Sequence, residues 1–196
     1  MAQLLFLEDG HRYQLDGETL PSVSEITRFI SREVYGQVMQ SRLDQAAERG
    51  TEVHKACELL DKYGKVECDE EYLGYVKAYI KFLKEHKPEW EKIEWAAYNP
   101  ELRYAGTIDR WGTVDGEKCI VDIKTSYQIQ KVLYGAAQNL YRLMCNSQGV
   151  QVDRLLILHL QKDGTYKLVE LPQDDSTAMA CLTLHKALAK KRRTKR

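Results

Sequence analysis

The stretch AGTIDRWGTVDGEKCIVDIKTS, residues 105–126, constrains the fold more than any other part of this 196-residue chain. Its Asp115-Gly116 pair lies between two β-rich runs, a strong signal for a two-residue hairpin turn. With those two residues as the loop, Val114 pairs with Glu117, Thr113 with Lys118, Trp111 with Ile120 and Asp109 with Asp122, and Thr107 faces Lys124. Side chains alternate faces along a strand. Asp109, Asp122 and Lys124 then emerge on one side of the sheet, and Cys119, Val121 and Ile123 on the other. Opposed like charges destabilise a strand pair, so two facing carboxylates call for a cation. Mg²⁺ suits such a place, because it is held by one or two carboxylates, waters and substrate phosphate. A lysine two residues beyond the second acid reaches a phosphate or an attacking water. A D-x-K triplet alone is nearly uninformative, since Asp and Lys alternate on many solvated strands. The second Asp across the hairpin, and the apolar run Cys119-Ile120-Val121 that abruptly becomes charged, set this one apart.

GTID followed by IVDIKTS resembles the metal-binding core of the PD-(D/E)xK nuclease superfamily, in its RecB-type and phage-exonuclease-like branch. By that match Asp109 is the first carboxylate, Asp122 the second and Lys124 the catalytic lysine; Ile108 stands where the family often has proline. The resemblance implies an α/β fold with a restriction-endonuclease-like core, a mixed β-sheet flanked by helices. It implies Mg²⁺ or Mn²⁺ as cofactor, DNA as substrate and phosphodiester hydrolysis as reaction. RGTEVHKACE, residues 49–58, resembles the RecB-type motif whose helical histidine adds a metal ligand, which assigns His54 to the metal and Glu58 to a supporting position. Glu94 corresponds to an acidic support residue ahead of the first active-site strand, and the Ile123 carbonyl is a further candidate ligand. Gln138 and Tyr141 match a Gln and Tyr near the DNA on the helix after the lysine strand. Their spacing of three, where the family has four, makes Tyr141 the stronger of the two; alternatively both pack against the sheet. Thr125 and Ser126, next to Lys124, are placed to donate to phosphate.

In that role the metal polarises the phosphoryl oxygen and acidifies bound water, while Lys124 orients or deprotonates the water or stabilises charge on the phosphate. The residues leave exo- and endonucleolytic cleavage both open, and the resemblance favours an exonuclease. A DG-rich hairpin followed by PSVSEI resembles the start of phage-encoded members. Similar phage exonucleases form rings and work with single-strand annealing proteins, which implies such a partner, a recombination or repair setting and a location in the host cytoplasm. The competing reading is a non-catalytic DNA-binding or assembly module on the same fold. A kinase or NTPase ranks last because no G-x-x-x-x-G-K-[ST] loop is present.

The remaining sequence is consistent with one domain over 1–189 and a basic tail over 190–196, expected to be disordered. Hydrophobic residues make up 43% and charged residues 30%, the balance of a globular chain. No apolar run approaches the roughly 20 residues that span a bilayer, and the first residues do not read as a secretory signal. The five cysteines include no C-x-x-C pair, which predicts reduced thiols in a cytoplasmic setting and no iron–sulfur cluster. Lysine and arginine total 29 and so do Asp and Glu, so the chain as a whole is not a general polyanion binder. The tail KKRRTKR is either an arm for phosphate backbones or a solubilising end. The pattern predicts a hairpin or meander over 4–20 and a short helix capped by Ser22 or Ser24, with a Ser22–Glu25 capping box. It further predicts a helix over 37–48 broken at Arg49-Gly50, a second over 51–63, a third over 69–86 and a strand over 93–98. Beyond the central hairpin it gives a helix over 130–146, strands over 152–160 and 166–171, and a last helix to about residue 190.

Overall fold

The computed structural model describes residues 4–7 and 12–193. Three short antiparallel strands open it, β1 (Leu4–Leu7), β2 (Arg12–Leu15) and β3 (Glu18–Leu20). The Asp9-Gly10 turn expected in this meander lies outside the described residues, as do residues 194–196. Helix α1 (Val23–Ile26) begins at Ser22, whose hydroxyl accepts from the Glu25 amide while the Glu25 carboxylate accepts from the Ser22 amide. The helix stops at Thr27, and α2 (Arg28–Tyr35) follows, so the expected single short helix is two pieces.

Helix α3 (Gln40–Tyr63) runs unbroken through Arg49-Gly50, where the sequence predicts an interruption. A mid-helix glycine costs only about 1 kcal/mol relative to alanine. Val53, Ala56 and Cys57, fully buried just beyond it, anchor the helix on the sheet and outweigh that cost. After a 3-10 turn at Glu70–Tyr72, α4 (Leu73–His86) ends at Lys87, in the left-handed conformation just before Pro88.

The five-stranded sheet has the order β4 (Glu89–Asn99), β5 (Tyr104–Val114), β6 (Glu117–Lys124), β7 (Arg154–Leu160), β8 (Tyr166–Leu171). Only β6 and β7 are parallel, and α5 (Lys131–Ser147) connects them. The β5–β6 turn places Asp115 at φ 51° and Gly116 at φ 86°, the two positive values that a type I′ hairpin requires. The pairing from Val114↔Glu117 to Trp111↔Ile120 is the register the Asp-Gly turn predicts. Strand β7 is buried along nearly its whole length, as a strand covered on both faces must be.

Helices cover both faces of this mixed sheet. Cys119, Val121 and Ile123 pack on Val53, Cys57, Tyr79 and Phe82 of α3 and α4. On the other face Ile120, Leu155 and Ile157 meet Cys145 of α5, and Leu140 and Met144 continue the layer to Leu182 of α6 (Asp175–Arg193). Each fully buried side chain of this size contributes about 1.5–3 kcal/mol. Helix α6 extends through Lys190 to Arg193, so the basic stretch starts as helix. Among the described residues, no helix is long and apolar enough to cross a membrane.

Candidate metal centre and active site

The site forms where β5 and β6 part. Their ladder ends at Arg110↔Val121, one step short of the expected Asp109–Asp122 pair. The Ile123 amide is instead taken by the Asp109 side chain, with Ile123 N donating to Oδ2 at 2.8 Å. A carboxylate thus replaces a backbone acceptor, and the strands splay into a pocket of about 540 Å³ lined by His54, Glu58, Glu94, Asp109, Asp122, Lys124 and Tyr141, among others. Gly106 lets the α5 layer close on β5 here: a Cβ at that position would stand 2.8 Å from the Tyr141 ring.

Three donors converge in this pocket. One ligand atom each from His54, Glu94 and Asp109 all lie within 4.8 Å of one another. His54 Nδ1 is 3.5 Å from Asp109 Oδ2 and 3.8 Å from Glu94 Oε1. The other ring nitrogen, Nε2, lies 2.8 Å from the Ile123 carbonyl oxygen. A carbonyl only accepts, so Nε2 carries the hydrogen. In the neutral ring, Nδ1 then points a lone pair at two carboxylates. Three electron-rich atoms this close together favour either a proton on Nδ1 or a cation among them. Burial pulls the His54 pKa down, but Asp109 and Glu94 more than reverse this and leave it above the ordinary histidine value. The same donors, one imidazole nitrogen and two hard oxygens, suit Mg²⁺ or Mn²⁺.

Glu94, expected as a support residue, therefore stands among the candidate ligands. The Ile123 carbonyl, expected as a ligand, accepts from His54 Nε2 and, at 3.3 Å, from Lys124 Nζ. It orients the histidine, as a second layer around a metal commonly does. Asp122 lies beside the donor cluster and forms an ion pair with Lys124. Burial pulls the Lys124 ammonium towards neutrality, but Asp122 and Asp109 more than reverse that, so it stays charged. Its ammonium also sits 5.5 Å from the Tyr134 ring centre. Burial, then the charges of Asp122 and Asp109, raise the Tyr141 hydroxyl well above its ordinary value and keep it a neutral donor.

The other expected residues are more dispersed. Glu58 lines the pocket and pairs with Lys62 on the next turn of α3. Thr125 is buried, and its hydroxyl accepts from Arg49 Nε at 3.3 Å. Ser126 donates to the Gln128 carbonyl. Gln138 is only 1% exposed, so it offers no surface to a DNA strand, and neither of its side-chain polar atoms has a partner among the described residues.

Arg110 is not among the residues that the sequence motifs single out, yet its fully buried guanidinium ties the site together. Nε donates to Asp61 Oδ2 at 2.7 Å, and Nη1 donates to Glu94 Oε1 at 3.0 Å and to the Asp109 carbonyl at 2.7 Å. Tyr79 donates to the same Asp61 oxygen at 2.6 Å. Burial lowers the Arg110 pKa, but the Asp61 and Glu94 carboxylates more than offset it, so the group remains charged. Glu94 itself has φ 47° in mid-strand. A non-glycine residue in that region costs on the order of 1–3 kcal/mol, and such strain persists only where neighbours hold it. Arg110 is one of those neighbours.

No protein-family model matches this chain, and no curated protein matches its sequence. Among solved structures it is similar to an alkaline exonuclease, LHK-Exo, from Laribacter hongkongensis. Identity is 12%, the TM-score is 0.43, and 88% of this chain and 89% of that chain are covered. For LHK-Exo in complex with dAMP the identity is 13% and the TM-score 0.48, covering 90% of this chain and 89% of that one.

Proposed function

We propose that this protein is a metal-dependent nuclease that hydrolyses phosphodiester bonds in DNA. The observation that carries the reading is the meeting of His54 Nδ1 with the Glu94 and Asp109 carboxylates, beside the Asp122–Lys124 pair. The resemblance of GTID and IVDIKTS to PD-(D/E)xK nucleases supports it, and supports an exonuclease in a recombination or repair setting with a single-strand annealing partner.

His54, Glu94 and Asp109, with Asp122 alongside, would hold Mg²⁺ or Mn²⁺. When bound, such an ion supplies Lewis-acid charge and a water of lowered pKa. The protein's own groups do the rest. Ile123 fixes the histidine tautomer, and Arg110 fixes the Glu94 carboxylate. The Lys124 ammonium donates to a non-bridging phosphate oxygen as negative charge grows there, and Asp122 holds that ammonium in place. Tyr141 offers a neutral hydroxyl to the same group. The attacking water oxygen bonds to phosphorus and releases a proton, the bridging P–O bond breaks, and the departing sugar oxygen takes up a proton.

Metal affinity will depend on pH. The His54 pKa lies above its ordinary value, so in the metal-free protein a proton occupies Nδ1 below that raised pKa and must leave before an ion binds. Mn²⁺ affinity is therefore expected to fall about tenfold per pH unit below the raised pKa, and to level off above it. Titration calorimetry from pH 5.5 to 8.5 measures this; His54→Ala should bind more weakly throughout and lose the proton linkage.

The functional test is digestion of end-labelled linear DNA against closed circular DNA, with Mg²⁺, Mn²⁺ or EDTA. Cleavage that needs the metal and a free end supports the exonuclease. Metal-dependent cutting of circles makes the protein an endonuclease. Binding without cleavage under every condition would leave only a DNA-binding module.

A further inference from the structure

A second cavity, of about 800 Å³, shares Gly50, His54 and Lys124 with the metal pocket and lies between α2 and α3 on one side and the β6–α5 loop on the other. Its lining contrasts sharply with the metal pocket. Arg42, Arg49 and Lys124 line it, and none of its described lining residues is Asp or Glu. In a chain with 29 basic and 29 acidic residues, that is a marked local segregation of charge. The metal pocket, sharing Lys124, carries Glu58, Glu94, Asp109 and Asp122. A cation cage thus abuts an anion-attracting groove.

The groove also carries rings. Tyr127 is 100% exposed, and Tyr35 and Tyr134 touch each other's hydroxyls at 3.1 Å along the wall. The loop beneath Tyr127 is fixed, because buried His159 donates from Nε2 to the Ser126 carbonyl. A tyrosine displayed in full on an anchored loop, beside arginines, is the combination that holds unpaired bases by stacking and their phosphates by charge. Bases within a duplex are stacked on one another and leave no free face for such a ring.

We infer that this groove binds a single DNA strand leading to the scissile phosphate, with bases against Tyr127 and phosphates at Arg42 and Arg49. The inference rests on the nuclease reading and adds the strandedness of its substrate at the site.

The test uses the full chain in EDTA, where cleavage is off, with fluorescently labelled oligothymidine and a hairpin duplex of equal length. Anisotropy should show tighter binding of the single strand. Tyr127→Ala should weaken that binding about tenfold, within the range of stacking on one aromatic side chain. Arg42→Ala should weaken it and lower the salt dependence by roughly one phosphate contact. Both side chains are exposed, so circular dichroism should report a native fold for each variant. Single-strand affinity within twofold of wild type in both variants, or equal affinity for the duplex, overturns the groove assignment even if metal-dependent cleavage is found. Strand binding lost in the variants, in a protein that never cleaves, upholds the groove and overturns the nuclease.

Discussion

Arg110→Met is expected to destabilise the folded protein by about 3–5 kcal/mol, the cost of removing one partner from a buried ion pair. Asp61 would be left as a buried carboxylate without its cation, still accepting from the Tyr79 hydroxyl, and the Asp109 carbonyl would lose the Arg110 donor. Domains of this size are stable by only about 5–15 kcal/mol, so the loss is a large share of the total. A urea titration followed by tryptophan fluorescence measures it as a lowered midpoint with an unchanged slope. The double variant Arg110→Met, Asp61→Leu should recover part of the loss, because it no longer strands the Asp61 carboxylate in the interior, while Glu94 still lacks its cation and Tyr79 its acceptor. Metal affinity separates this residue's two duties. Glu94 stays unanchored in the double variant, so Mn²⁺ binding should remain about 10- to 100-fold weaker than in wild type even where stability returns. Recovery of both together would mean that Arg110 serves the fold alone.

That residue also marks how far the sequence could be read. The Asp115-Gly116 turn sets the β5–β6 register, and alternation then assigns Cys119, Val121 and Ile123 to the face that α3 and α4 cover. The same register puts Arg110 opposite Val121, on that buried face. A charged residue on a core face is the sequence signal for a buried ion-pair network. Glu94 was legible as an acid near the site but not as part of the donor cluster. Its direction depends on a left-handed backbone in mid-strand that no local pattern announces. The failed ladder step at Asp109 was equally invisible, because a side chain there competes with the backbone for the Ile123 amide. At Arg49-Gly50, which α3 runs through unbroken, the reason is the opposite one. The local signal was real, and burial of the residues beyond it overrode the break.

Lys124→Ala is expected to lower cleavage by about 10²- to 10³-fold, equivalent to roughly 2.7–4 kcal/mol of transition-state stabilisation lost with one charged donor. The structure adds a sign that distinguishes this from the loss of a metal ligand. Lys124 is a cation sharing its pocket with the donors, ion-paired with Asp122 and fed by the fields of Asp122 and Asp109. Its removal frees the Asp122 carboxylate and deletes a like charge beside the incoming ion. Mn²⁺ affinity at pH 8 should therefore hold or tighten while turnover collapses. Asp109→Asn should weaken metal binding and turnover together, since it removes a charge from the donor cluster. Calorimetry for the metal and gel-based rates at saturating Mn²⁺ provide the two readouts. If Lys124→Ala loses metal affinity in step with activity, the lysine organises the cation site and does not act on the phosphate. If it loses neither, the place of the reacting phosphate lies elsewhere in the pocket, and the pairing of Asp122 with Lys124 is structural.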